Sequence, residues 1–372
     1  MTPIARDDSS VLGRWWWTVD RWTLFSLCLL VLFGMVLTAA ASPPVADRIG
    51  LDSFYFVRRQ AMLVVPAFAL MISISLLEPR SVRRLAAIAF VVGVVLLVAT
   101  LLIGPEIKGA QRWIKVGGLT LQPSEFIKPA FAVVAAWMFS ARRLGEDIPG
   151  YLISALLYLT VLSLLLAQPD VGQTIVVSAI WFTQWFLAGL SMTWVGLIVL
   201  LGMSAMFAAY FTFPHVESRI DRFFDPGVGD TYQIDRAMEA FMNGGLFGRG
   251  PGEGTAKAYL PDAHSDFILA VAGEEFGLIA CLLLVALFAF IVMRGMMRVL
   301  EDRNLFVVLA AAGLLMQFAL QAIINMASTV NLMPTKGMTL PFISYGGSSL
   351  LALAFGMGML LALTRRRAGG VE

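Results

Sequence analysis

Ten apolar stretches, each close to the length of a bilayer crossing, constrain this chain more than any other feature. They run approximately over residues 22–41, 61–77, 85–103, 126–141, 151–168, 172–190, 194–213, 267–293, 305–327 and 345–364. A spanning helix takes about 20 apolar residues, within a range of about 17–25. Hydrocarbon offers no partner to backbone N–H and C=O groups, so stretches of this kind are expected to be helices. The expected fold is an all-α integral membrane protein of ten transmembrane helices. Composition agrees, since 59% of the 372 residues are hydrophobic and only 14% charged, against about 25% charged in soluble domains. In water such a chain would expose large sticky patches. No polar linker divides it. One membrane domain is expected over 22–364, with cytoplasmic tails at 1–21 and 365–372 and the large outer loop at 214–266.

A formal net charge of +2 argues against nucleic-acid binding. Cys28 and Cys281 fall inside apolar runs and read as small buried hydrophobes, not a disulfide. His215 and His264 are too few for a His-rich metal cluster. They leave room for a carboxylate-bound divalent cation, Mg²⁺ or Mn²⁺. The first apolar run ends in Ala39-Ala40-Ala41-Ser42, which resembles a signal-peptidase site. It is longer than the roughly 7–15 residues of a signal h-region, so it is expected to stay as a helix.

Lys and Arg in short connections mark the cytoplasmic face of a membrane protein. An even helix number puts both ends on one side. That side carries Arg6, Arg14 and Arg21, then Arg80, Arg83 and Arg84, then Arg142 and Arg143. It continues with Arg294, Arg298 and Arg303, and ends with Arg365, Arg366 and Arg367. The opposite side holds nearly as many cations, mostly in one long loop, which the rule discounts. Both termini are expected in the cytoplasm.

Three outer connections are long, at about 104–125, 214–266 and 328–344. Loops beyond about 12–15 residues are usually functional or disordered. The longest carries Phe223, Phe224, Tyr232, Phe241, Leu246, Phe247 and Tyr259 among its charges. It is expected to fold over the outer mouth, with a helix near 231–242. Its glycine-rich stretch from Gly244 to Gly254 lacks the lysine–hydroxyl pair of a phosphate loop and follows no strand. The chain shows no self-similar halves of the transporter kind.

Charges at membrane depth are costly and are functional candidates by default. Glu125 and Lys128 open the fourth apolar stretch three residues apart, so they share a helix face. The bland alternative is an interfacial pair anchoring a helix end. Asp170, in Gln168-Pro169-Asp170, either caps the helix after it or presents an acid at the outer surface. Asp266 lies where loop meets lipid, near a helix N-terminus that favours a carboxylate. Glu274 and Glu275 lie two turns deeper and read as structural contacts between helices. Arg219 and Arg222 could clamp phosphate, and Lys257 could do so as a mobile point charge; a solvated loop face is the alternative. The run Pro334–Ser349 packs small residues and hydroxyls, Ser344 and Ser348 among them, at membrane depth. It reads either as close helix packing or as irregular backbone lining a polar cavity. The residues alone imply an outward-facing cavity for an amphiphilic substrate with a charged head. They do not separate an enzyme from a transporter.

These motifs, in this order, resemble the SEDS family (shape, elongation, division and sporulation), bacterial membrane proteins of cell-wall synthesis. The stretches that carry the resemblance are Gly109-Ala110-Gln111-Arg112-Trp113-Ile114, Gln122-Pro123-Ser124-Glu125, Gln168-Pro169-Asp170, Tyr232-Gln233 and Asn243-Gly244-Gly245. Leu260 to Ile268, Glu274-Glu275 and Pro334 to Ser349 complete them. Lys257 ahead of Tyr259-Leu260-Pro261, Ala263-His264, and Pro334-Thr335-Lys336-Gly337 favour the division branch over the elongation branch. Ser265 stands where the family has threonine, and Asn331 where a glycine is expected.

The resemblance implies a ten-helix fold with a large extracytoplasmic loop between helices seven and eight. It implies a peptidoglycan glycosyltransferase that polymerises lipid II by inverting transfer, releasing undecaprenyl pyrophosphate. Asp266 maps onto the family's acidic residue at the cavity mouth, and Glu125, Lys128 and Asp170 onto its cavity residues. Arg219, Arg222, Lys257, Ser344 and Ser348 complete the expected substrate contacts. No cofactor is implied beyond the optional divalent cation. The implied partners are a class B penicillin-binding protein, an FtsI-like transpeptidase, and division proteins of the FtsQ, FtsL, FtsB and FtsN types. The implied location is the inner membrane at the division septum. A lipid II flippase and a non-catalytic division scaffold are the rival readings.

Overall fold

The computed structural model describes residues 10–106, 110–116, 119–145, 147–189, 191–224 and 231–366. In chain order the helices are α1 (Val11–Thr18), α2 (Arg21–Arg48), α3 (Tyr55–Ser75) and α4 (Pro79–Ile103). A short antiparallel hairpin comes next, β1 (Ile114–Val116) and β2 (Leu119–Leu121), with Lys115 opposite Thr120. Then come α5 (Pro123–Arg143), α6 (Gly150–Ala167), α7 (Val171–Leu187), α8 (Met192–Thr212), α9 (Pro214–Phe224) and α10 (Tyr232–Gly244). The last three are α11 (Ile268–Leu300), α12 (Leu305–Thr329) and α13 (Gly347–Leu363).

Among the described residues, α2 to α8 and α11 to α13 correspond to the ten apolar stretches. Seven of them, α2, α3, α4, α6, α8, α11 and α12, are long and apolar enough by themselves to cross a membrane. Two more, α7 and α13, are apolar helices of 17 residues. The tenth, α5, carries Glu125, Lys128, Arg142 and Arg143. It tolerates them because it is the central helix, packed by α4, α6, α7, α12 and α13. Its segment from Ile127 to Ala136 is buried throughout, so its charges meet protein instead of lipid. Helix α8 is the opposite case, with none of its best spanning window buried.

Several boundaries differ from the sequence expectation for physical reasons. Residues 11–18 of the N-terminal tail form α1, capped by Ser10, whose Oγ accepts from Gly13 N at 3.0 Å. Helix α2 does not end near residue 41 but runs through Pro43 and Pro44 to Arg48. Proline has no N–H, so Pro44 leaves the carbonyl four residues earlier, Ala40 O, without its helical donor. Lys257 Nζ fills that gap at 3.0 Å. Helix α12 ends at Thr329 in a Schellman arrangement, with Leu332 N to Ala327 O at 2.8 Å and Asn331 N to Ser328 O at 3.3 Å. Asn331 takes the left-handed position at φ 56°, a conformation asparagine tolerates better than most residues. That accounts for asparagine where glycine is expected. Cys28 faces outward from the bundle instead of lying buried; Cys281 is buried, and both are free.

Helix α11 is broken at Gly277, where φ is 79° and ψ −178°. The glycine-rich stretch after α10 lies against the break. Leu278 N donates to Gly245 O at 2.9 Å and Ile279 N to Leu246 O at 3.3 Å. Arg249 N and Gly250 N donate in return to Glu274 O and Glu275 O at 2.9 and 3.0 Å. A Cβ on Gly244 would strike Gly273 O, and one on Gly248 would strike Glu275 O. The glycines thus let one backbone approach another and satisfy the groups freed by the break.

Candidate active site

At one end of the bundle, the hairpin β1–β2, the start of α5, the turn before α7 and the loops before α11 and α13 enclose a cavity of about 810 Å³. Its floor is a buried polar network. Lys128 Nζ, fully buried, donates to Glu125 Oε2 and to Gln321 Oε1, each at 3.1 Å. Gln173 Nε2 donates to Glu125 Oε1 at 2.5 Å. Gln321 Nε2 reaches on to Thr339 O at 3.2 Å and to Ser349 Oγ at 3.4 Å. One chain of hydrogen bonds therefore ties α5 and α7 through α12 to the last loop. Removing one partner of such a buried pair costs about 3–5 kcal/mol, because the other charge stays behind uncompensated. Glu125 and Gln173 face the cavity; Lys128 lies beneath them, outside its lining.

Asp266 lines the cavity on the opposite wall. Its backbone is held from two sides. Its N–H donates to Asp262 O at 3.1 Å, and its carbonyl accepts from Asn325 Nδ2 at 2.9 Å and Thr329 Oγ1 at 3.5 Å. Asn325 Nδ2 also donates to Met338 O at 2.6 Å, fixing the two loops side by side. Gly337, at φ 43°, passes directly against the carboxylate. A Cβ there would sit 3.2 Å from Asp266 Oδ2. Three cations share the lining: Arg59 from α3, Arg112 from before the hairpin, and Lys336.

Asp170 is buried as the N-cap of α7, its Oδ1 accepting from Gln173 N at 3.3 Å. Its Oδ2 stands 3.7 Å from Arg112 Nε. Arg112 also donates to Gln168 O at 3.3 Å and Pro169 O at 2.5 Å. The capping reading of Asp170 therefore holds, but the acid is buried outside the cavity lining and does not face it; it braces a cavity cation, Arg112, from behind. Ser348 lines the cavity, but its hydroxyl is engaged with β2 and the residue preceding α5, donating to Thr120 O at 2.9 Å and accepting from Gln122 N at 3.1 Å. Ser344 is buried behind the wall, donating to Ser265 O at 2.5 Å and accepting from Leu340 N at 2.8 Å.

Lys257 corrects the sequence reading. It is not a mobile loop charge. It is buried, paired with Glu275, and bonded to Ala40 O and Gly252 O. Glu274 next to it accepts from Thr255 N, Ala256 N and Lys257 N at 2.8, 2.7 and 3.0 Å. Both glutamates thus act structurally, tying α11 to the loop. The side chains of Arg219 and Arg222 lie outside the described residues.

The cavity's basic groups were not among the expected contacts. Arg112 and Lys336 sit inside motif stretches, so their motifs held a signal. Arg59 looks like any arginine at a helix start. His264 lines the cavity, its ring stacked on Phe56 at 4.2 Å and 5.4 Å from Tyr345. Burial pushes its pKa below 6.5, with Asp262 opposing the shift and Arg48 adding to it. No group of three or more His, Cys, Asp or Glu among the described residues is placed to hold a metal ion.

The model of the FtsW/RodA/SpoVE family, described as a cell cycle protein, matches residues 21–369. A Caulobacter vibrioides protein named "Probable peptidoglycan glycosyltransferase FtsW" is 46% identical over 366 residues, covering 98% of this chain and 94% of its own. A Trichlorobacter lovleyi protein of the same name is 36% identical, covering 93% of both chains. Among solved structures, a chain of a peptidoglycan synthase complex superposes with a TM-score of 0.76 at 27% identity, covering 93% of this chain and 97% of that one. Thermus thermophilus RodA, a rod shape determining protein, superposes with a TM-score of 0.67 at 27% identity, covering 94% and 97%. The chain belongs to the FtsW/RodA/SpoVE family of cell cycle proteins.

Proposed function

We propose that this chain is a peptidoglycan glycosyltransferase that polymerises lipid II at the outer face of the bacterial inner membrane during division. The observation that carries the reading is the cavity itself, which brings Asp266, Glu125 and three cations together at one membrane surface. The family relatives, named for this activity, support it.

Asp266 serves as the general base. The acceptor sugar's 4-hydroxyl attacks the anomeric carbon of the donor; its proton passes to the carboxylate as the new glycosidic bond forms and the bond to the lipid pyrophosphate breaks. A positioned base contributes about 10²–10⁴-fold. The leaving pyrophosphate needs no proton, and Arg59, Arg112 and Lys336 are placed along the cavity to meet its charge. One base without a second catalytic carboxylate suits direct inversion. A flippase would need a polar path across the bilayer. Below Lys128, α5 continues through Ala130, Phe131, Ala132 and Val133, all fully buried, which supports the enzyme.

The partner proposal is a class B penicillin-binding protein whose single membrane helix docks on the exposed face of α11, at Leu278, Leu282, Val285 and Met293. The other division proteins and the septal location rest on the family resemblance. The test supplies labelled lipid II to the purified chain with its partner. Asp266→Asn should leave polymer undetectable while expression and partner binding persist. Glu274→Gln should lower folded yield more than turnover per folded molecule. Near-normal polymer from Asp266→Asn would remove the base assignment.

A further inference from the structure

At the end of the bundle remote from the cavity, one carboxylate faces two guanidinium groups. Asp20, 1% exposed, caps α2. Its Oδ2 accepts from Arg294 Nε at 2.9 Å and Thr23 Oγ1 at 3.1 Å. Its Oδ1 accepts from Arg294 Nη2 and Trp22 N, both at 3.3 Å. Arg294 thus holds Asp20 with both prongs, and the acid has little left to give. Arg298, one helical turn on, comes only to 3.5 Å of Asp20 Oδ2. That contact is made by Nε; the side chain is 12% exposed, and its buried Nη1 has no hydrogen-bond partner. A guanidinium carries five donors and no acceptor, so two of them on one carboxylate leave positive charge and donors over for an anion.

The surroundings say which kind. Arg294 and Arg298 lie against the Asp20 cap, where α1 leads into α2. There the Arg21 guanidinium lies 5.1 Å from the Trp17 ring and 5.9 Å from the Trp16 ring, an arrangement suited to a membrane interface. Trp22 and Phe25 on α2, and Met297 and Leu300 on α11, are exposed apolar residues beside it. Basic pockets between transmembrane helices at this level take lipid headgroups. We propose that Arg298, with Arg294 behind it, binds the phosphate of an anionic phospholipid in the leaflet opposite the cavity. The lipid's acyl chains lie along the exposed faces of α2 and α11. Binding neutralises the charge that Asp20 leaves over and bridges the first spanning helix to the one that starts beside Asp266.

Native mass spectrometry of the purified full-length chain tests this with phosphatidylglycerol against phosphatidylcholine. Phosphatidylglycerol should be retained in preference, and Arg298→Gln should weaken its retention roughly fivefold, the effect of one arginine beside an anionic lipid. Phosphatidylcholine adducts should not change, and Arg303→Gln should match the unaltered chain. Equal retention of the two lipids, or an unchanged preference in Arg298→Gln, would overturn the proposal. So would thermal stabilisation by inorganic phosphate equal to that by the lipid. A second measurement needs no variant: a photoactivatable phosphatidylglycerol should label peptides from α1, the start of α2 and the end of α11. Labelling confined to other helices also overturns it.

Discussion

At the residue scale, burial decides which charges work at the surface and which brace it. Lys128 and Lys257 both looked like candidate substrate cations, yet each is buried against a glutamate. Glu125 lines the cavity while its partner does not. His264 gives a prediction at this scale. Its folded pKa is depressed below 6.5, chiefly by burial. Above that pH the ring is neutral in both folded and unfolded states and costs nothing. As pH falls below 6.5 the unfolded chain takes up a proton first, so stability must fall with it. Thermal unfolding in detergent should therefore shift downward between about pH 6.5 and pH 5. His264→Phe keeps the stack on Phe56 and should flatten part of that slope. An identical slope in both proteins would assign the pH dependence elsewhere.

At the element scale, the break in α11 and the glycine loop form one unit. Gly277 at φ 79° lets the helix open, and the loop after α10 supplies the missing backbone partners. The loop's far end leads into Asp266, so the unit holds the candidate base in place. Gly277→Ala would put a methyl group into Leu246 O and Gly248 N, and it adds a backbone penalty of about 1–3 kcal/mol, because φ 79° with ψ −178° is a region open essentially to glycine. We expect it to lower the thermal midpoint and, by displacing the loop that leads into Asp266, to reduce polymerisation by roughly tenfold or more, since a misplacement of about 1 Å can cost about 10²-fold. Gly202→Ala in α8, with nothing near its Cβ position, should be neutral in both. Full activity in Gly277→Ala would show that the loop need not pack on the break. Helix α5 makes the same point from inside: a spanning helix with two charges in its first turns is stable only as the middle of a bundle.

At the scale of the whole molecule, the arginine-rich rim and the cavity lie at opposite ends, so orientation decides function. We propose that the cavity faces outward and both termini face the cytoplasm. In a chain with Cys28 and Cys281 replaced, a cysteine at Glu253 should react with an impermeant maleimide on intact cells, once the outer membrane is permeabilised. One at Asp302 should react only after the inner membrane is opened as well. The reverse pattern would place the cavity inside and end the polymerase reading.

The sequence by itself determined the class of this protein and its membrane-length helices. Hydrocarbon length and the absence of backbone partners in lipid leave ten apolar runs one solution, and the order of the motifs is enough to name the family. The site was legible in part, because Asp266, Glu125 and Asp170 sit where chain and membrane surface meet. Only the tertiary structure decided which cations share the cavity. Lys257 and Lys336 are alike as residues, and Arg59 is one helix-end arginine among many. What separates them is whether a glutamate or a cavity wall lies opposite, and that depends on contacts between distant segments. The same holds for the glycine stretch, whose purpose is written in α11, and for Arg298, which must share Asp20 with Arg294 and stays 3.5 Å from it.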